Sequence, residues 1–374
     1  MTQRLPAALS PLDAALRLLL DGVKPIEAEE EAVANSLGCV AAESCPLQTA
    51  HPAFNIAVSD GWALRAHDIV GASSYSPVPL AASPVWVEAG DRLPSSCDCV
   101  LDADVVEQTG PMFQVLADAV PGHGIRRAGD DIAAGRSIIA PGTPVDLYDL
   151  FVVRAAGIDR ISVRSPRVGV IDIPSADGNN ASSQLILELA KEAGARVTGS
   201  QAAGRDLASI SAALDVNACD LVVTVGGTGT GRSDATISAL VARGAIMIHG
   251  LALQPGRTAA VGRMDPTPVI AVPGAPDQAL AAFLMLVQPA LDRLTARSRR
   301  RESIRPLARK ISSSIGVTEL VLLQNLDEAW MPIAVGQLSL DAISRADAWL
   351  AVAADSEGYA VGTQVGALAL RDTG

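Results

Sequence analysis

Residues 221–234 read LVVTVGGTGTGRSD, and the fold turns on how this stretch is read. Five apolar or β-branched residues in a row make a strand buried on both faces, the kind that parallel sheets use. Gly226, Gly227, Gly229 and Gly231 then let the backbone turn sharply and leave its N–H groups unobstructed. Ser233 or Asp234 is placed to cap a helix over TISALVARG, which stops at Gly244. Strand, bare amides and helix N-terminus in that order form an anion site. A tight strand-to-helix turn with no ligand would carry the same glycines, so the neighbouring sequence has to decide.

Outward from this stretch the same grammar repeats. RVGVIDI (167–173) reads as a strand, 182–193 as a helix ending at Gly194, 195–200 as a strand and 206–214 as a helix. Beyond the 234–243 helix come strands at 245–249, 258–261 and 269–272, then a long apolar helix at 278–294. Strands alternating with helices at this interval imply βαβ units and a parallel sheet covered on both faces. Such sheets bind ligands at the carboxyl ends of their strands.

The flanks are written differently. Residues 12–21 and 27–37 carry apolar residues at helical spacing and read as two helices of a connecting or oligomerising element. From about 47 to 140, strand-length runs separated by Gly, Pro, Ser and Asp suit a small, mainly β domain, and 146–156 reads as a returning helix. ARSRRRESIRPLARK (296–310) is a charge run that reads as a solvated, helix-like linker. The remainder to residue 374 alternates apolar and polar residues and suits a small β-barrel or sheet.

Composition sets bounds. The chain has 374 residues, 49% of them hydrophobic, so it is globular and long enough for more than one domain. A net charge of −12 argues against broad contact with nucleic acid. Charged residues interrupt every apolar run before membrane-spanning length. Asp13, Arg17 and Asp21 make the N-terminal stretch an amphipathic helix and not a signal peptide. Five scattered cysteines and four histidines without ligand spacing fit a reduced cytoplasmic protein without structural metal.

Four stretches hold more polar detail than packing requires. They are Ser59-Asp60-Gly61-Trp62, Arg126-Arg127-Ala128-Gly129-Asp130-Asp131, the loop to Asp234, and the paired turns Gln254-Pro255-Gly256-Arg257 and Pro273-Gly274-Ala275-Pro276. Each has an ordinary reading: an Asp-Gly turn, a surface ion pair, an N-cap, Pro-Gly punctuation. Counted from Gly227, the third glycine of a dinucleotide fingerprint falls on Arg232, and no Gly-Lys-Ser/Thr follows, so neither nucleotide motif applies.

In order along the chain, these stretches resemble the molybdopterin molybdenumtransferase family, which comprises bacterial MoeA and the gephyrin E domain. SDGWALR is similar to the family's MDGYAVR, GIRRAGDDIAAG to IRRxGEDIxxG, and VGGTGTGRSD to SGGVSxGxxD. LQPGRTAAVG and VPGAPDQALAAFLMLVQPAL resemble KPGKPxxFG and LPGNPVSAxxxFxxxVxPxL. The tail from Gly336 to Val365 is similar to the family's last domain.

The resemblance implies a MoeA-like multidomain fold of α/β and β parts. A helical, extended dimerisation segment (1–46 and 141–165) and a small mainly β domain (47–140) come first. A three-layer α/β molybdopterin-binding domain (166–298) and a C-terminal β-barrel (303–374) follow. It implies an elongated cytoplasmic homodimer working with Mg²⁺, with molybdopterin adenylyltransferase and molybdoenzyme apoproteins as candidate partners and no nucleic acid or membrane. The implied reaction takes adenylylated molybdopterin and molybdate, cleaves the phosphoanhydride and releases AMP. Asp60, Asp131 and Asp234 match the family's acidic positions and are expected to be catalytic, through metal handling and water or substrate positioning, with Asp60 and Asp234 on the metal. Gly226, Gly227, Thr228, Gly229, Ser233 and Asn180 would hold the pterin or its phosphate. Gln254, Pro255, Gly256, Arg257, Pro273, Gly274 and Ala275 would line the molybdate and anhydride end.

The chain also departs from the pattern. The family's Thr-Gly-Asp-Glu reads Ile173-Pro174-Ser175-Ala176, so its glutamate is missing, and the Asp of Asp-x-Asn-Arg falls near Asn180, with Asp177 as a stand-in. A family threonine is Ala89, two lysines become Gly250 and Gln254, a third becomes Arg257, and an asparagine becomes Ala275. Losing two cations around an anhydride costs several kcal/mol of transition-state stabilisation, on the order of one charged hydrogen bond each. A second expectation therefore stands beside the first: a paralogue that binds molybdopterin or a nucleotide as carrier, chaperone or regulator.

Overall fold

The computed structural model describes residues 3, 5–6, 8–215, 219–264 and 266–371. Two compact units divide the chain: one of residues up to Glu43, Pro141–Phe151 and Asp159 onward, the other of Ser44–Ala140 and Val152–Ile158.

A six-stranded sheet organises the first unit. Its strands are β1 (Arg167–Asp172), β2 (Arg196–Gln201), β3 (Leu221–Val225), β4 (Ile246–His249), β5 (Ala260–Met264) and β6 (Thr267–Val272), in the order 2-1-3-6-5-4. Helices α1 (Ala181–Glu192), α2 (Leu207–Ala213) and α3 (Thr236–Ala242) connect them. Every residue of β3 is buried, and its side chains split by the period of two. Leu221, Val223 and Val225 face a core shared with Ile186 and Ala190 of α1, while Val222 faces one shared with Ile210 of α2 and Leu240 of α3. Burial on both faces explains the run of apolar and β-branched residues in the sequence.

The sheet is not wholly parallel. β2, β1, β3 and β6 run parallel, but β5 is antiparallel to both β6 and β4. Only two residues separate Met264 from Thr267, and a parallel return needs a crossover of a dozen or so. The long C-terminal helix is also composite: α4 (Pro276–Ala282) passes through a π-turn at Phe283–Val287 into α5 (Gln288–Thr295). Pro289 has no N–H to close an α-helical bond there.

Two expected helical segments are strands. Residues 27–37 form a strand, Glu29–Ala32, and a short turn at Val33–Asn35. The strand pairs with Arg160–Arg164, and its alternate residues Glu29 and Glu31 meet Arg196 at 2.7 and 2.8 Å. Strand pairing with Arg160–Arg164, together with the ion pairs from the alternate glutamates to Arg196 of β2, overrides the helical propensity of a glutamate run. The basic stretch 296–310 contains the strand Glu302–Pro306, laid antiparallel on Gln364–Ala369. Two of its arginines form ion pairs: Arg300 with Asp292 at 2.9 Å and Arg299 with Glu302 at 3.1 Å.

The Glu302–Pro306 strand is one edge of a second sheet. The others, from the opposite edge, are Leu253–Gln254, Thr318–Leu326, Ala348–Val352 and Gln364–Ala369, with Ala329–Val335 as a hairpin partner. Leu253, Leu320, Leu338 and Trp349 belong to the same core as β3, so this sheet and the α/β sheet share one apolar interior. Among the described residues no helix is long and apolar enough to cross a membrane.

The second unit is built from small antiparallel sheets, one of Val85–Val87, Gly61–Leu64 and Cys99–Leu101, another of Val78–Pro79, Met112–Val115 and Val106–Thr109. Trp62 stacks edge-on against Trp86 and Phe113, with centroids 5.1 and 5.6 Å away. Gly61 opens a strand and is not a turn glycine. A Cβ there would strike the Leu101 carbonyl of the neighbouring strand, so close backbone approach requires it.

Candidate functional site

β1, β3 and β6 are parallel and adjacent, and their carboxyl ends converge at Asp172, Val225 and Val272. A cavity of about 330 Å³ opens there. The loop after β3 makes one wall. Gly226 and Gly227 adopt φ of 102° and 64°, which side-chain-bearing residues rarely reach. The Gly226 N–H donates to Val272, whereas the amides of Gly227, Thr228 and Gly229 meet no acceptor among the described residues. Opposite, the Pro273–Ala275 turn crosses Gly226 so closely that a Cβ on Gly274 would lie 3.4 Å from the Gly226 Cα.

The start of α1 makes the third wall. Asn179 Oδ1 accepts from the Ala181 N–H at 2.9 Å, and Ser182 donates to the Gly274 carbonyl at 2.7 Å. Ser183 donates to Asp172, which also accepts from Gln201 at 2.8 Å. Asp172 thus ends its strand fully engaged.

Asp234 does not cap α3. The N-cap is Ala235, with no side-chain bond, and the Asp234 carboxylate turns back over its own loop. It accepts from the Gly231 N–H at 3.0 Å and from Arg205 at 2.6 Å. Its side chain is only 12% exposed, so this pair is shielded, unlike the surface pairs worth about 1 kcal/mol or less. Arg205 follows Gly204 between β2 and α2, where Asp206 is consumed as the cap of α2. The other arm of Arg205 donates to the Pro174 carbonyl at 3.0 Å, while its Nε is buried without a partner. An unmet buried donor costs about 1–3 kcal/mol. Arg205 is the only cationic side chain on the cavity wall among the described residues.

Behind the loop, His249 contacts the Thr228 carbonyl at 3.0 Å through Nε2, which must donate because a carbonyl only accepts. Burial lowers its pKa from 6.5, against the smaller raising effect of the Thr228 and Thr258 carbonyls. Thr228 also meets Thr258 at 3.3 Å, and Thr258 reaches Gln278 at 3.5 Å. Gln278 lines a second cavity of about 530 Å³ as well, together with Gln254, Pro255, Gly256, Arg257 and Ser339.

The positions singled out in the sequence therefore fall into groups. Asn180, Gly226, Gly227, Thr228, Gly229, Asp234, Pro273, Gly274 and Ala275 line the first cavity, and Gln254–Arg257 the second. Ser233 is exposed and lines neither. Asp177 lies off both walls. It accepts from Ser175 at 2.5 Å and from the Asn179 amide at 3.1 Å, and these bonds lower its pKa. Asp60 and Asp131 belong to the other unit. Asp60 is exposed and accepts from the Ala89 amide at 2.8 Å, and Asp131 pairs with Arg126 at 3.4 Å. Asp172, Ser183, Arg205, Thr258 and Gln278 were not singled out. The carboxyl-end rule would have found Asp172 at the end of β1 and Arg205 in the loop after β2.

A glycine loop, an opposed turn and a helix start at the carboxyl ends of parallel strands define a binding domain for a small anionic ligand. Residues 162–293 match the family model described as "Probable molybdopterin binding domain", and residues 10–157 match "MoeA N-terminal region (domain I and II)". The chain belongs to the MoeA family of molybdenum cofactor biosynthesis proteins. It is 29% identical to molybdopterin molybdenumtransferase 2 of Mycobacterium tuberculosis over 64% of this chain and 68% of that one. A molybdopterin biosynthesis protein of Methanocaldococcus jannaschii is 23% identical over 96% of this chain and 97% of its own. The crystal structure of a molybdopterin biosynthesis MoeA protein from Pyrococcus superposes with a TM-score of 0.70 at 26% identity, covering 97% of this chain and 99% of that one.

Proposed function

We propose that this chain inserts molybdate into adenylylated molybdopterin and releases AMP. The observation that carries the reading is the cavity at the ends of β1, β3 and β6, whose glycine-loop amides face a turn and an arginine. Amides held by glycines bind phosphate oxygens without reorganisation, which favours charge that builds during anhydride cleavage. The adjoining cavity, with Arg257, Gln254 and Ser339, suits the oxyanion molybdate. Gln278, on both walls, lies where the two substrates would meet.

Magnesium finds no ready cage in this cavity. Asp234 is taken by Arg205 and Gly231, and Asp172 by Ser183 and Gln201. No three His, Cys, Asp or Glu side chains converge among the described residues. A divalent ion would come largely on the phosphates of the substrate, as Mg²⁺ commonly does. Asp60 keeps one carboxylate oxygen unpaired and exposed, and its role in ion or water handling rests on the resemblance. A homodimer goes with the reading, supported by the exposed Leu147, Tyr148 and Phe151 of one helix, and a cytoplasmic location rests on the resemblance.

The experiment is molybdate-dependent release of AMP from adenylylated molybdopterin. Release should be strong in the native chain and lost in Asp60→Ala. The neutral residues at the family's lysine and glutamate positions favour one second reading, a carrier. Tight binding of the adenylylated pterin with no AMP release would establish that reading instead.

A further inference from the structure

Arg205 stands out because its surroundings leave it unfinished. One arm is anchored on Pro174 and the other on Asp234, while Nε is buried without an acceptor. The cavity wall carries Asp172 and Asp234 against this single cation. A phosphate entering beside the loop amides would meet two carboxylates, and Arg205 alone could offset them. We propose that Arg205 is the phosphate-binding cation of this cavity, and that Asp234 is a positioning residue that holds the guanidinium ready until a phosphoanion displaces it. The guanidinium fork matches phosphate as well as carboxylate, so the exchange keeps the same donors in use. The cation is thereby supplied from the β2–α2 loop, whereas Gln254, at a position where the family has a lysine, lines the second cavity. That the natural phosphoanion belongs to molybdopterin rests on the function proposed above.

The test uses inorganic pyrophosphate as probe, titrated calorimetrically into the full chain with a chelator present. Arg205→Gln should weaken binding about tenfold or more, the fold-change of one charged hydrogen bond, with Arg205→Lys intermediate because an ammonium lacks the fork. Asp234→Asn keeps an acceptor for Arg205 but removes a negative charge, so it should tighten binding. It also keeps the test decisive if Arg205→Gln fails to fold. Unchanged affinity in Arg205→Gln would overturn the proposal. So would binding that is absent with the chelator, appears when Mg²⁺ replaces the chelator and disappears in Asp234→Asn, since Asp234 would then hold a metal. The readout is phosphoanion binding without AMP release, so failure of the insertion reading leaves this outcome separately visible.

Discussion

Gln3 clamps the glycine loop from behind: its Nε2 donates to the Gly229 carbonyl at 2.8 Å, and its Oε1 accepts from the Ile237 N–H at 3.1 Å. One side chain thus ties the loop to the first turn of α3, and it is only 7% exposed. Truncation would strand a buried amide and a half-buried carbonyl. Gln3→Ala should cost about 1–3 kcal/mol in urea unfolding, while Gln3→Glu should fail to restore it, since a carboxylate cannot donate to Gly229.

Gly227 is constrained twice, by a φ of 64° and by Thr236, whose hydroxyl a Cβ would strike. That hydroxyl donates to the Gly226 carbonyl at 2.9 Å and cannot move without loss. Gly244 has a φ of 86° but open space around its Cβ position. Gly244→Ala should therefore cost only the left-handed backbone, about 1–2 kcal/mol. Gly227→Ala should cost about 1–3 kcal/mol more. Equal unfolding midpoints for the two variants would contradict this.

The contrast shows what the sequence could reveal. β3 was legible because burial on two faces leaves only apolar or β-branched residues, Thr224 among them, and the turn after it because glycine is the residue that most readily adopts those angles. The strand Glu29–Ala32 was not, since its partner Arg196 lies far along the chain. Nor was the strand in 296–310, whose ladder partner is the last strand of the chain. Within the cavity, glycines announce themselves by type, but Arg205 does not. Apart from its place in the loop after β2, nothing distinguishes it from the surface arginines, and only the fold brings it to Asp234.

Cys97 and Cys99 differ in accessibility although two residues apart. Cys99 is buried, its thiol donating to the Leu64 carbonyl at 3.4 Å. Burial, with Asp98 and Cys97 adding to it, pushes its pKa to about 11 from 9.0. At pH 8 its thiolate fraction should be roughly a hundredfold below that of an ordinary cysteine, so iodoacetamide should modify partly exposed Cys97 first. Mass spectrometry of the alkylated peptide reads this directly. A raised thiol pKa also contributes stability that is present below pH 9 and lost as pH rises towards 11.

His249 carries the opposite sign. Its pKa is lowered because the ring is buried beneath Thr228, so the unfolded chain takes up the proton first. Stability from keeping this ring neutral is full above the unfolded value of 6.5 and falls as pH drops below it. Protonation would also charge the group that supports Thr228 in the cavity wall, coupling acid to the shape of the loop. In His249→Gln the side chain can still donate to Thr228 but cannot titrate. The unfolding midpoint of this variant should therefore vary less between pH 6.5 and 5 than that of the native chain. Parallel pH profiles for the two would mean that the acid sensitivity of the fold lies elsewhere.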